Sequence, residues 1–157
     1  GDVALRAKLA AWEAHNGPVP VCSRSVPMRA GPFLWREHHD VPKMEIVDEV
    51  CVVRFACDGP FMKRSVLMAG KSARIIDEVC GRTAHVVTWQ LAPEWEQVED
   101  LTWKHPNGSV VTLSLEGDGI QKHEIVSEEV SPRFGQVMKA AAVRVTFTGR
   151  LVSTFSR

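Results

Sequence analysis

Residues 109–116 read SVVTLSLE, and this stretch decides the fold. Apolar side chains at Val111, Leu113 and Leu115 alternate with the hydroxyl side chains of Thr112 and Ser114. Alternation with a period of two is typical of a β-strand, because successive side chains point to opposite faces of a sheet. One face of this strand is therefore predicted to pack and the other to meet solvent.

Strand-forming sequence extends from Met44 to Arg157. Short runs rich in Val, Ile, Thr, Phe and Trp are separated by Gly, Pro, Asp and Asn about every 8–12 residues, which is typical of a sandwich or barrel. His85, Val87 and Trp89 show the same alternation as 109–116. The predicted strands are 32–37, 45–57, 61–69, 72–79, 83–92, 98–104, 109–116, 120–127 and 141–155.

Two connectors predict antiparallel hairpins. Asp58-Gly59-Pro60 and His105-Pro106-Asn107-Gly108 are turn sequences, because Gly and Asn accept positive φ and Pro fixes the entry angle. They pair 45–57 with 61–69, and 98–104 with 109–116. No helical pattern of ten or more residues separates these strands, so parallel units are not expected. The predicted fold class is all-β, a two-layer antiparallel β-sandwich.

The N-terminal region differs from this body. Residues 3–14 hold strong helix formers, with Leu5, Leu9 and Trp12 on one face, and they predict one short helix. Several prolines follow and favour an irregular arm. We interpret 1–157 as a single domain, with a helix and turn over 1–18, the arm over 19–43 and a strand-rich body over 44–157.

Charge and cysteine content exclude some classes of protein. Nineteen basic residues balance nineteen acidic ones, so a nucleic acid partner is not expected. No stretch is long and apolar enough for a membrane span, and the N-terminus lacks a signal-peptide pattern. The cysteines form no CxxC pair and are predicted to be buried free thiols; they are Cys22, Cys51, Cys57 and Cys80.

Short motifs spread over nearly the whole chain resemble the C-terminal β-sheet part of the heparinase II/III-like polysaccharide lyases. At the N-terminal end these are Ala4-Leu5-Arg6, Ala14-His15-Asn16 and Gly31-Pro32-Phe33-Leu34-Trp35. The central block is Asp58-Gly59, Lys63-Arg64-Ser65-Val66-Leu67, Ile75-Ile76-Asp77-Glu78-Val79, Gly81, His85 and Leu91-Ala92-Pro93. Near the closing strands stands Ser131-Pro132-Arg133-Phe134-Gly135.

The resemblance implies a function. Members of that family join a helical toroid to a β-sandwich and cleave uronic acid polysaccharides by β-elimination. The implied partners are an acidic polysaccharide or oligosaccharide and the helical toroid domain of a longer protein, and the implied location is periplasmic or secreted. This sequence contains no Tyr, and it departs from the family pattern at Gly17 and Pro60. We therefore expect the isolated chain to be inactive as a lyase.

Two other classes of function stay open. One is a stand-alone carbohydrate-binding or protein-interaction sandwich that shares the fold. The other is an independent hydrolase, which is disfavoured because no GxSxG, HExxH or His–Cys nucleophile pattern is present.

Histidines are the candidate metal ligands. The resemblance implies that His15 supplies a zinc ligand, but only with ligands outside this chain, since structural zinc takes four. The alternative is an ordinary hydrogen bond at the end of the helix. No cofactor is expected in the isolated chain, and zinc is possible in a full-length lyase. His38-His39-Asp40 is interpreted as a solvated turn, and His85 as a histidine at the edge of the core.

Arg64 and Trp95 are the candidate substrate-binding residues. Arg64 lies in the family-like block and could meet an acidic sugar. The alternative is a structural ion pair with Asp77 or Glu78 on the neighbouring strand. Trp95 stands between Glu94 and Glu96 after a proline, so it could stack on a sugar ring from a loop or pack against the core.

Overall fold

The computed structural model describes residues 4, 8–9, 16–21, 28–29, 35–36, 43–48, 50–56, 61–133 and 136–157. The strands in these ranges are β1 Val19–Pro20, β2 Met28–Arg29, β3 Trp35–Arg36, β4 Lys43–Val47, β5 Val50–Ala56, β6 Phe61–Ala69, β7 Ser72–Val79, β8 His85–Gln90, β9 Glu96–Glu99, β10 Thr102–Lys104, β11 Val110–Glu116, β12 Ile120–Val130, β13 Met138–Phe147 and β14 Arg150–Ser156.

The strands form two main sheets of unequal width. The small sheet has the order β1-β8-β13-β12, and the large sheet has the order β4-β5-β6-β7-β14-β11-β10-β9. Strands β2 and β3 form a separate two-stranded sheet. Every pair is antiparallel. Within the described ranges no helix is long and apolar enough to cross a membrane.

The core lies between the two main sheets. The small sheet contributes residues of β8 and β13, and the large sheet contributes residues of β6, β7, β10, β11 and β14. The main contributors are Val87, Trp89, Val143, Val145, Phe147, Met62, Ile75, Val79, Trp103, Leu113 and Leu151. The predicted all-β antiparallel sandwich is therefore confirmed, and the alternation in 109–116 buries Leu113 while Thr112 and Ser114 are exposed.

Three of the predicted strands are wrong in length, because each is a hairpin of two strands. The range 45–57 divides into β4 and β5, 98–104 lies on β9 and β10, and 141–155 divides into β13 and β14. The turns contain residues with positive φ: 47° at Asp48, 52° at Leu101 and 68° at Gly149. In 45–57 and 141–155 the residues on both sides of the turn are rich in β-branched side chains, which hid the turn. In 98–104 the turn lies beside Glu99 and Asp100, which are poor strand formers. The two predicted hairpin pairings, β5 with β6 and β10 with β11, are confirmed.

The N-terminal predictions fall mostly outside the described residues. Ala4, Lys8 and Leu9 are helical, and the rest of the predicted helix over 3–14 lies outside the described ranges. Within the arm, β1 adds to the edge of the small sheet through the pair of Val19 with Val86. The predicted strand 32–37 is represented by β3.

His85 is buried completely at the start of β8. Its Nδ1 lies 2.9 Å from the Thr83 carbonyl oxygen, so Nδ1 carries the proton and donates. Nε2 is buried without a hydrogen-bond partner, and the ring centroid lies 6.2 Å from that of Phe147. Burial lowers the pKa of His85, and the hydrogen bond to Thr83 opposes this with a smaller effect. The fold therefore holds a neutral imidazole.

The buried imidazole gives a pH dependence to stability. Because the folded-state pKa lies below the usual 6.5, the stabilising contribution of neutral His85 is complete above pH 6.5 and is lost as the pH falls through the folded-state value. The loss amounts to at most ~1.4 kcal/mol per pH unit. Urea unfolding between neutral and mildly acidic pH should show a smaller slope for His85→Phe than for the unchanged chain. His123→Ala, which removes an exposed histidine, is the control, and equal slopes for all three proteins would contradict this assignment.

Candidate functional site

A buried ion pair joins two central strands of the large sheet. Arg64 on β6 and Asp77 on β7 are register partners. Arg64 Nε donates to Asp77 Oδ1 at 2.7 Å, and a terminal guanidinium nitrogen donates to Oδ2 at 2.9 Å. The Asp77 side chain has no exposure, and that of Arg64 is 17% exposed. The ion-pair alternative inferred for Arg64 from the sequence is thus present, with Asp77 and not Glu78 as partner.

Asp77 depends on Arg64 to carry a charge. Burial raises the pKa of the Asp77 carboxyl above its usual value, and the hydrogen bonds and the charge of Arg64 offset this only in part. Paired charges of this kind offset their own desolvation only when the geometry is good and the remaining donors are satisfied. The bidentate contact meets the first condition. For the second, the guanidinium nitrogen that does not contact Asp77 donates to the backbone carbonyl of Asn16.

The guanidinium of Arg64 has further partners beyond Asp77. It donates to the backbone carbonyl of Asn16, and its Cζ lies 5.0 Å from the ring centroid of Trp89 on the small sheet. Trp89 Nε1 in turn donates to Ser153 Oγ at 3.1 Å. Each guanidinium nitrogen is engaged within the chain. This geometry favours a structural role for Arg64, and a direct contact with substrate stays a prediction.

Asn16 links the N-terminal segment to both main sheets. Its carbonyl accepts from Arg64 of the large sheet, and its side-chain Oδ1 accepts from the backbone N–H of Gln90 at 3.1 Å. Gln90 belongs to β8 of the small sheet. His15 directly precedes this anchored residue in the sequence, but it lies outside the described residues. The position of Asn16 is therefore defined by both layers of the sandwich.

An open cleft of about 410 Å³ lies beside Asn16. Its wall is made of the N-terminal segment, the loop after β8 and the loop after β12: Leu9, Asn16, Gln90, Leu91, Ala92, Pro93, Glu129, Val130, Ser131 and Pro132. Lys8 Nζ reaches Glu129 Oε2 at 3.0 Å, so the acidic side chain of the cleft is already paired. The cleft thus combines apolar surface with amide and hydroxyl groups.

Trp95 lies in the turn between β8 and β9 and is partly buried. Its ring centroid is 5.2 Å from that of His105 with a tilt of 58°, and it packs against the core. Its backbone N–H donates to the Ala92 carbonyl at 3.1 Å. Neither Trp95 nor Arg64 lines the cleft.

Gln90 was not predicted from the sequence as a site residue. Its backbone N–H makes the contact with Asn16, and a backbone contact does not depend on the residue type.

The described residues do not form a metal centre. Among them no group of three His, Cys, Asp or Glu side chains converges. His15 and the His38-His39-Asp40 segment lie outside the described residues. Zinc therefore does not fit the described side chains alone. Cys51 and Cys80 are free thiols, as expected, but Cys51 is only partly buried, and the predicted burial is wrong for Cys80, which is exposed. Cys22 and Cys57 lie outside the described residues.

Comparison with known proteins connects this fold to lyases. No family model matches the sequence, and no curated protein matches it. The heparan sulfate lyase HepC from Pedobacter heparinus is similar in structure, with a TM-score of 0.66 and 17% identity. A heparinase III, the BT4657 gene product, is similar with a TM-score of 0.69 and 14% identity. Each comparison covers 99% of this chain and 26% of the other, so the chain spans about a quarter of the solved structures that it matches.

These likenesses show the fold. They confirm the expectation, drawn from the motifs, that the chain has the sandwich fold found in the heparinase-type lyases. Identities of 14% and 17% do not carry an activity from one protein to another.

Removal of Arg64 should destabilise the chain far more than removal of its neighbour Lys63. Arg64→Ala leaves the carboxyl of Asp77 buried without its partner, which costs roughly 3–5 kcal/mol. Lys63→Ala breaks a similar pair with Glu78, but both of those side chains are partly exposed, so the loss should stay below about 1 kcal/mol. Urea unfolding of the two variants measures both values. Equal losses would contradict the central role of the buried pair.

Proposed function

We propose that this chain is the β-sandwich portion of a polysaccharide lyase that cleaves a uronic acid polysaccharide by β-elimination, and that activity requires a helical toroid domain. The observation that carries the proposal is the extent of the structural likeness. Almost the whole chain, 99%, aligns within two lyases whose own chains are about four times longer. A domain of this kind supplies the framework and part of the binding surface.

The chemistry explains why a second domain is needed. β-Elimination next to a carboxylate requires a group that neutralises the carboxylate, a base that removes the proton and an acid that protonates the leaving oxygen. Tyr and His commonly serve as acid and base, and this chain has no Tyr. In the proposed enzyme, the tyrosine comes from the toroid domain. The sandwich contributes the cleft beside Asn16 and the imidazole of His15.

The ion pair has a defined task in this proposal. Arg64 holds the carbonyl of Asn16, and Gln90 holds its side chain, so the residue that follows His15 is tied to both sheets. Arg64 and Asp77 then act as positioning residues for the N-terminal segment. Trp95 is the candidate for stacking on a sugar ring, since part of its surface is accessible.

The partners follow from the same proposal. The substrate is an acidic polysaccharide or oligosaccharide, and the protein partner is the helical toroid domain of the same longer chain. Polymeric glycans of this type are met outside the cytoplasm, so the proposed location is periplasmic or secreted. No nucleic acid is involved, in keeping with the zero formal net charge.

The proposal is tested by lyase activity with and without the toroid. The 157-residue chain alone should produce no unsaturated uronic acid from heparan sulfate, heparin, chondroitin or alginate, because the tyrosine is missing. The same chain joined to the helical region encoded upstream in its reading frame should cleave at least one of them. The ultraviolet absorbance of the unsaturated product is the measurement. An upstream region without helical periodicity or Tyr would instead support a stand-alone carbohydrate-binding or protein-interaction module.

Zinc content gives a separate test of His15. One imidazole cannot hold zinc against water, because affinity comes from three or four preorganised ligands. After dialysis the 157-residue chain should contain no stoichiometric zinc, and His15→Ala should change its free energy of unfolding by less than about 1 kcal/mol. The longer protein should hold one zinc that His15→Ala removes. Zinc held tightly by the 157-residue chain itself would contradict the need for outside ligands.

A further inference from the structure

The outer face of the large sheet carries two rows of polar side chains. In the first row Thr102, Thr112, Ser156 and Ser72 are register partners across β10, β11, β14 and β7. In the second row Ser114, Thr154 and Arg74 are partners across β11, β14 and β7. We call these two rows the hydroxyl face.

The hydroxyl face points away from the core. The residues that alternate with it along the same strands are the inward-facing ones, including Trp103 and Leu113, which are 1% and 2% exposed. Thr112, Ser114 and Ser156 are exposed, and the other hydroxyl residues are partly exposed. Neighbouring strands are about 4.8 Å apart, so the first row extends over roughly 14 Å. It is a regular surface of donors and acceptors as long as a short oligosaccharide.

Three cations lie at one end of this face. Arg74 belongs to the second row, and Lys71 precedes Ser72 of the first row. Arg157 follows Ser156; its backbone N–H donates to the Lys71 carbonyl at 3.0 Å, and its guanidinium donates to Ser109 Oγ at 2.5 Å. All three side chains are exposed.

These cations differ from two others on the same outer face. Lys63 is bound to Glu78, and Arg54 is bound to Glu45. Within the part of the chain that the structure describes, Lys71, Arg74 and Arg157 have no carboxylate within ion-pair distance. None of the three is therefore held in an ion pair with a described Asp or Glu side chain, and their cationic groups are available to an anion.

We propose that the hydroxyl face, with Lys71, Arg74 and Arg157, binds a sulfated or carboxylated glycan chain. Guanidinium groups match the geometry of carboxylate and other oxyanions through paired hydrogen bonds, and the hydroxyl rows bind sugar hydroxyls. Neither row contains the aromatic side chain on which a neutral sugar would stack. The surface therefore selects for charge.

This surface is separate from the cleft beside Asn16. The cleft is formed at loops that follow β8 and β12 of the small sheet, whereas the hydroxyl face lies on the far side of the large sheet. The class of glycan rests on the function proposed above. A polymer held on the hydroxyl face stays near the protein between encounters with the cleft, which raises its effective concentration there.

The test uses the 157-residue chain and a fluorescently labelled heparin oligosaccharide at low salt. The unchanged chain should bind, and the double variant Arg74→Ala with Arg157→Ala should bind roughly tenfold more weakly, since each exposed charge contributes a factor of up to about five. Thr112→Val keeps shape and charge and should weaken binding by about twofold. Raising the salt from about 20 mM to about 300 mM should greatly weaken binding. Uncharged dextran should not compete.

A matched control separates a defined surface from net charge. Lys122→Ala with Lys139→Ala removes two exposed cations from the small sheet and changes the net charge equally, so its affinity should change by less than about twofold. Equal losses in the two double variants, absence of heparin binding to the unchanged chain, or amide shifts confined to the cleft in NMR titrations would each overturn the proposal. If the unchanged longer protein shows no lyase activity but the 157-residue chain still binds heparin, the result would count against the proposed function and not against this surface.

Discussion

The buried pair of Arg64 and Asp77 is the interaction on which the attachment of the N-terminal segment to both layers depends. Asp77 is fully buried in a largely apolar core, where a lone carboxylate would be very costly. Arg64 neutralises this carboxylate, and it also contacts Trp89 in the opposite layer and the backbone carbonyl of Asn16. One side chain therefore connects β6, β7, the small sheet and the N-terminal segment. Apolar packing alone would hold the layers together without defining where that segment attaches.

A buried ion pair that fixes the position of one segment has a cost in stability. A well-packed apolar pair in place of a buried ion pair is often as stable or more stable. The sandwich does not require Arg64 and Asp77 to close the core, since apolar residues such as Val87, Val143 and Leu151 already pack there. What the pair adds is a donor, the Arg64 guanidinium, held in a fixed position for the backbone carbonyl of Asn16. The role of the ion pair is thus to attach Asn16 to the sandwich.

Much of the fold was predictable from local pattern. Alternation of apolar and polar residues identified β8 and β11 because their two faces meet different surroundings, core and solvent. The pattern failed at Asp48 and Leu101, which take positive φ at tight turns although neither turn is marked by a glycine or a proline. The order of strands within a sheet was not predictable either, because pairs such as β7 with β14 join residues that are far apart in the sequence.

The candidate site was predictable only in part. Pairing of Arg64 with a carboxylate was foreseeable because adjacent strands often carry opposite charges. The contact of Arg64 with Asn16 was not, since it uses a backbone carbonyl, and such groups are present at every residue. The hydroxyl face is also invisible along the chain. Its four strands are scattered over 72–156, and the alignment of Ser72, Thr112 and Ser156 exists only in the assembled sheet.

The order of strands in the large sheet has a consequence for how the chain folds. Strands β4 to β7 form one run of successive hairpins and β9 to β11 form another, and β14 is the strand that lies between them. Each run can form from local contacts, which close quickly. The two runs become one sheet only when Arg150–Ser156 inserts between β7 and β11. A chain emerging from the ribosome therefore carries two open half-sheets with unpaired edges until β14 is released, and in this interval those edges are exposed to misassociation.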